Sequence, residues 1–286
     1  MMEKTHDTST PIRSNHSFGE YIDSIIHDKL ESDGQIIRLL DLYNVGFAAS
    51  KKGDLVEAGI QFELAHSLVE NTTVESLRWV TALSGGNLSY YFYKAGDYDA
   101  ANTQTLKNIE ASQYIMQKYA CWGLFWGEIQ QLHNLGRMQL KQNNVDAFLE
   151  KCGATFPKMY LAFAEWKGTR IKDDWEWQSF TAIGYDMLIQ VFSETMHSIL
   201  FAKKGNEKEI KKDLSGFLQV LLPAKYADIT GLPEKFKLLD DFILLVYKIL
   251  EHGTDALNEE DLKFVTDTKE NKELSKVLYN LVVSIP

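Results

Sequence analysis

Glutamate and histidine three residues apart on a helix share a face, and the chain has this pair twice, in Glu63-Leu64-Ala65-His66 and Glu194-Thr195-Met196-His197. Two such pairs with two further carboxylates, here Glu110 and Glu128, could hold a pair of iron or manganese ions inside a helical bundle. In a chain with seven histidines, two pairs are only mildly more than chance supplies. Glu63 and His66 also flank Ala65, a core position of the recurring pattern described below, and the two readings require different packing. No metal or cofactor is therefore expected. Other chemistry is sparse. There is no phosphate-binding glycine loop, no nucleophile elbow and no pair of histidines spaced for zinc. Cys152 and the scattered histidines form no dyad by spacing. Asp173-Asp174, Asp240-Asp241 and Glu259-Glu260-Asp261 read as solvated faces or helix caps. The chain is read as a non-enzyme.

Aromatic residues offer a second kind of site. Trp122, Phe125, Trp126 and Ile129 share one helical face, and Trp166, Trp175 and Trp177 follow. Exposed tryptophans anchor ligands and partners, whereas aromatic stripes at helical spacing more often bury in a core. Core is the reading preferred here. Trp175 and Trp177 are the exceptions, since residues two apart on a helix cannot both face inward.

The elements that would position these side chains recur. Leu42-Tyr43-Asn44-Val45-Gly46 leads into Lys51-Lys52-Gly53-Asp54, then Glu57-Ala58, Phe62 and Ala65. Asn87-Leu88-Ser89 leads into Lys94-Ala95-Gly96-Asp97-Tyr98, then Ala101. Asn134-Leu135-Gly136 leads into Lys141-Gln142-Asn143-Asn144, then Ala147. Small residues at 46 and 58 let two helices approach closely. Gly53 can take a positive φ and end the first helix, and Asp54 can cap the second. Asn143 can replace the turn glycine because Asn tolerates the left-handed conformation. Phe201-Ala202-Lys203-Lys204-Gly205-Asn206 repeats only the turn.

Gly46, Gly53, Asp54, Ala58, Phe62 and Ala65 make the first unit resemble a tetratricopeptide repeat. The likeness is closest over residues 39–70, extends to 108, weakens to 150 and fades beyond. The second unit departs from the motif at Ser89 and Thr105, where a glycine and an aromatic are usual. The turns at 53, 96 and 143 are spaced more widely than the family's roughly 34 residues, implying longer helices or short inserts. The resemblance implies an all-α superhelix, a solenoid of antiparallel helix pairs whose first helices line a concave groove. By that register the groove would present Tyr43, Asn44, Phe47, Asn87, Tyr90, Asn134 and Arg137. Amides there could bond a peptide backbone at regular intervals, and the rings could hold its side chains. The subtype that clamps a terminal carboxylate is not expected, since Tyr43, Phe47 and Asn134 stand where its Lys, Asn and Arg would be.

Composition agrees with such a fold. Five prolines in 286 residues suit long helices. A net charge of -10 argues against nucleic-acid backbone and anionic membranes as partners. Two isolated cysteines, Cys121 and Cys152, and the absence of an apolar leader or span point to a cytoplasmic protein. The expected organisation is a disordered arm over 1–17, repeats over 18–150 and a divergent helical half over 151–286. Helices are expected over 18–30, 35–52, 55–70, 73–95, 98–118 and 121–142. A less regular segment, punctuated by Gly153, Pro157 and Gly168, is expected over 144–172. Further helices are expected over 174–203, 206–221, 234–252, 258–266 and 270–284. The expected function is a scaffold or regulator that binds a protein or peptide segment. The alternatives are a sensor of a small molecule or signalling peptide, with a pocket near Trp175, and the di-metal enzyme. Self-association is the remaining option, given the apolar C-terminal helix.

Overall fold

Four turns of one design set the architecture. At three of them the last carbonyls of a helix are capped in the same way. Asp54 N–H bonds Ala49 O (3.0 Å), Asp97 N–H bonds Phe92 O (3.0 Å), and Asn144 N–H bonds Gln139 O (2.9 Å). The residue before each is left-handed: Gly53 at φ +84°, Gly96 at +82° and Asn143 at +60°. The side chain after the turn then caps the next helix, Asp54 accepting from Glu57 N–H, Asp97 from Ala100 N–H and Asn144 from Ala147 N–H. The fourth turn follows suit, with Gly205 at +86° and Asn206 accepting from Glu209 N–H.

The computed structural model describes residues 18–30, 33–69, 72–202, 205–225, 235–261, 264 and 272–284. The expected N-terminal arm, the Gly231-Leu232-Pro233 loop and residues 262, 263, 265 and 266 of the expected helix over 258–266 lie outside them. The described residues are helical, with no strand among them beyond an isolated bridge between Lys167 and Ile171. The helices are α1 (Phe18–Ile25), continued by a π turn (Ile26–Leu30), α2 (Gly34–Lys52), α3 (Leu55–Val69), α4 (Val74–Ala95) and α5 (Tyr98–Tyr119). Then come α6 (Leu124–Lys141), α7 (Val145–Glu165), α8 (Asp174–Ala202), α9 (Glu207–Lys225), α10 (Lys235–His252) and α11 (Lys272–Ser284).

Consecutive helices pack as pairs: α2 with α3, α4 with α5, and α6 with α7. The first helices also meet one another, α2 with α4, α4 with α6, and α6 with α8, so they lie side by side. Within each pair the close contact is solved differently. A Cβ on Gly46 would come within 2.9 Å of the Phe62 ring, so a glycine makes room for a phenyl. At the same register in the second pair, Ser89 and Thr105 share a hydrogen bond of 2.5 Å, and both hydroxyls reach the Ala101 carbonyl. In the third pair Gly136 faces Phe148, and Cys152 takes the place of the phenyl.

One expectation is corrected. The segment 144–172 is irregular only after Glu165: α7 runs unbroken for 21 residues, Val145–Glu165, through Gly153 and Pro157. A proline inside a helix costs about 3 kcal/mol. Burial of Phe148, Phe156, Met159 and Phe163 on one face of α7 offsets it. α9 likewise passes Pro223 and ends at Lys225, beyond the expected 221. A buried aromatic layer forms where α6, α7 and α8 meet: Trp126, Phe163, Trp166 and Phe180 pack ring against ring, and the Trp126 indole donates to Phe180 O (2.9 Å).

Candidate functional site

The adjacent helices α2, α4 and α6 carry the sequence-derived site residues, and two of the rungs are visibly in register. Asn87 Nδ2 donates to Asn44 Oδ1 at 3.1 Å. One turn on, Phe47 meets Tyr90 edge to face at 5.3 Å between centroids, and Tyr90 lies 6.4 Å from Tyr93. Asn44 is exposed, while Phe47, Asn87 and Tyr90 are half-buried. Tyr43 leans away into the pair interior, edge-on to Phe62 at 5.4 Å, and burial pushes its phenol up from the ordinary value. Tyr43 is therefore a packing residue of the α2–α3 pair more than a contact surface.

Between α4 and α6 the face opens into a small cavity of about 50 Å³ lined by Ser89, Tyr90, Tyr93, Asn134, Arg137 and Met138. Three of the predicted residues, Tyr90, Asn134 and Arg137, thus meet around one hollow. Asn134 is not a free rung; its amide bonds Gln131 Oε1 at 3.4 Å. Tyr93 and Arg137 also line a larger cleft of about 590 Å³ that continues past Lys141, His197 and Phe201 to Glu273 and Lys276 of α11. α11 packs on α8 and closes that side.

The chemistry at the join is a charge network that sequence patterning did not reveal. Arg137 Nη1 donates to Glu194 Oε2 at 2.8 Å, His133 Nε2 lies 3.2 Å from the same oxygen, and Gln190 donates to Oε1 at 3.0 Å. Burial holds His133 below its ordinary value, so it is neutral at pH 7 and donates its ring N–H. Burial alone would raise the Glu194 carboxyl; the bond from His133 and the Arg137 charge outweigh it and hold the group down to about 2. Glu194 is an ionised anchor for Arg137, and its helical neighbour His197 stacks on Phe201 instead (6.2 Å). Only the i, i+4 spacing of His133 and Arg137 on α6 hinted at a shared partner.

A row of lysines follows the same register. Lys51, Lys94 and Lys141 occupy the penultimate position before each left-handed turn, all are exposed, and none has a carboxylate within ion-pair distance among the described residues. Lys51 Nζ sits 4.3 Å from the Phe47 ring centroid.

The metal constellation does not assemble. Glu63, His66 and Glu110 are exposed on α3 and α5. Glu128 is buried and bonded by Gln113 (2.7 Å) and Lys158, and Glu194 holds Arg137. Among the described residues no three His, Cys, Asp or Glu side chains lie where one ion could bind them. Of the tryptophans, Trp126 and Trp166 are buried, Trp175 is 43% exposed, and Trp177 stacks on Phe180 at 5.7 Å. Trp175 lines none of the three cavities found here. No helix among the described residues is long and apolar enough to cross a membrane. No protein-family model, no curated protein and no solved structure matches the chain.

Proposed function

We propose that the chain is a tetratricopeptide-like superhelix that binds an extended protein or peptide segment across α2, α4 and α6, as a non-enzymatic scaffold or regulator in a reducing, cytoplasmic setting. One observation carries the reading. Three rows of side chains repeat at matched register on neighbouring helices: an amide row (Asn44, Asn87, Asn134), a ring-and-guanidinium row (Phe47, Tyr90, Arg137) and a lysine row (Lys51, Lys94, Lys141). Packed helices lie about 8–10 Å apart and an extended chain rises about 3.3 Å per residue, so each rung meets about every third residue of a bound segment. The unpaired lysines favour acidic residues at that spacing, in a protein whose net charge of -10 otherwise repels them. Amides supply backbone bonds and the rings supply apolar contact.

The test is selection from a displayed random-peptide library, followed by fluorescence anisotropy of the selected peptides. The expected result is acidic residues recurring at every third position. It also includes affinity that weakens with salt and drops about tenfold or more in Phe47→Ala/Tyr90→Ala. Peptides that bind equally well to that double variant would remove the reading.

A second reading rests on the 590 Å³ cleft, which falls in the size range of small-molecule sites and is bounded by the helix that folds back, α11. As a sensor of a small molecule or signalling peptide, the protein would gain thermal stability on ligand binding, and Arg137→Ala would abolish that gain while Asn44→Ala would not.

A further inference from the structure

We propose that a separate cleft between α5 and α7 binds a small aromatic carboxylate. The cleft holds about 540 Å³, within the range of small-molecule sites, and Phe125 and Trp166 line its apolar side. At its mouth the Arg170 guanidinium lies 4.5 Å from the Trp166 ring centroid and 5.7 Å from that of Trp122. The loop that carries it is fixed: Gly168 takes φ +74° and donates to Ile171 O at 2.8 Å, while Arg170 N–H bonds Trp166 O at 3.0 Å. Stacking and loop together hold the guanidinium in place before any ligand arrives.

The charge at this cleft is unbalanced. Lys158 is spent on Glu128, a carboxylate only 2% exposed that also accepts from Gln113. Arg170 has no carboxylate partner among the described residues, although the chain carries 40 acids against 30 bases. Two cations and one carboxylate leave one positive charge beside an aromatic wall. An aromatic ring with a single carboxylate satisfies both, the ring against Trp122 and Trp166 and the carboxylate on the guanidinium fork. The proposal is independent of the α2–α4–α6 face.

Isothermal titration with indole-3-acetate and its neutral analogue indole-3-acetamide tests it. The intact protein is expected to bind the acid about tenfold more tightly than the amide, the worth of one charge-assisted bond. Arg170→Gln is expected to bring that ratio to about one without lowering Tm, since the side chain is exposed. Leu161→Asp, at the half-exposed rim, is expected to weaken the acid more than the amide. The peptide Gly-Gly-Trp with a free carboxylate separates the two sources of this chemistry: tighter binding than indole-3-acetate assigns the site to a peptide end, weaker binding to a free acid. Absence of saturable binding by all three probes, or an acid preference that survives Arg170→Gln, would overturn the proposal.

Discussion

Phe47 and Tyr90, on α2 and α4, and Trp126 and Phe180, on α6 and α8, are aromatic residues of neighbouring helices, yet the two sets meet opposite fates. Phe47 and Tyr90 stay half-buried on a face shared with amides and lysines. Trp126 and Phe180 are almost wholly buried and interlocked with Phe163 and Trp166. The difference lies in what covers them. A Cβ on Gly184 of α8 would stand 2.2 Å from the Trp126 ring, so a missing side chain on the opposite helix admits the indole. Among the described residues no comparable layer lies over Phe47 and Tyr90, whose neighbours on that face are amides and lysines.

The largest effect that would separate the two regions is Trp126→Ala. It is expected to cost about 3–5 kcal/mol through the lost packing and cavity, and the bond to Phe180 O disappears with it. Phe47→Ala is expected to cost about 1 kcal/mol. Urea denaturation of both variants measures the contrast, and equal losses would mean the face is as much a core as the tryptophan layer.

The pairs themselves provide the next contrast. Thr105→Phe forces a ring against Ser89, where the first pair has Gly46 against Phe62, and is expected to destabilise by about 1–3 kcal/mol. Adding Ser89→Gly recreates the first pair's solution and is expected to recover most of that loss. A double-mutant cycle reads the coupling directly. Additive losses would show that the pairs do not share one register.

Acid titration probes the network that joins the face to α8. His133 is held neutral by burial, so its contribution is complete above its ordinary 6.5 and is lost as the pH falls, because the unfolded chain binds a proton that the fold resists. Glu194, with a folded value of about 2 against an ordinary 4.5, stabilises above 4.5 and loses that contribution as the pH falls toward 2. Stability is therefore expected to decline in two stages between pH 7 and 2, and Glu194→Gln is expected to flatten the lower stage. A single unchanged slope in that variant would remove Glu194 as the anchor.

Smallest in stability is Asn44→Ala with Asn87→Ala. The bond between them is exposed, so the pair is expected to change stability by less than about 1 kcal/mol while weakening a bound segment. An unchanged affinity would demote the amide row to surface packing.

The turns at 53, 96 and 143 and the cap at Asp54 were legible in the sequence because left-handed backbone and N-caps restrict residue choice strongly. The pairing of helices followed from them. Helix α7 was not legible, because Gly153 and Pro157 signal a break locally and only burial of its apolar face overrides them. Tyr90, Asn134 and Arg137, named from register alone, line one small cavity. The partners that occupy them, Glu194 above all, come from another helix some sixty residues away, and no local pattern reports such contacts.

Site-specific photocross-linking tests the central claim most directly. A benzophenone side chain at Tyr90, on the shared face, is compared with one at Glu110, exposed on α5, in lysate of the native source. The account predicts a discrete protein adduct from position 90, lost on competition with a selected acidic peptide, and none from position 110. Adducts from 110 alone, or from 90 without peptide competition, would contradict it.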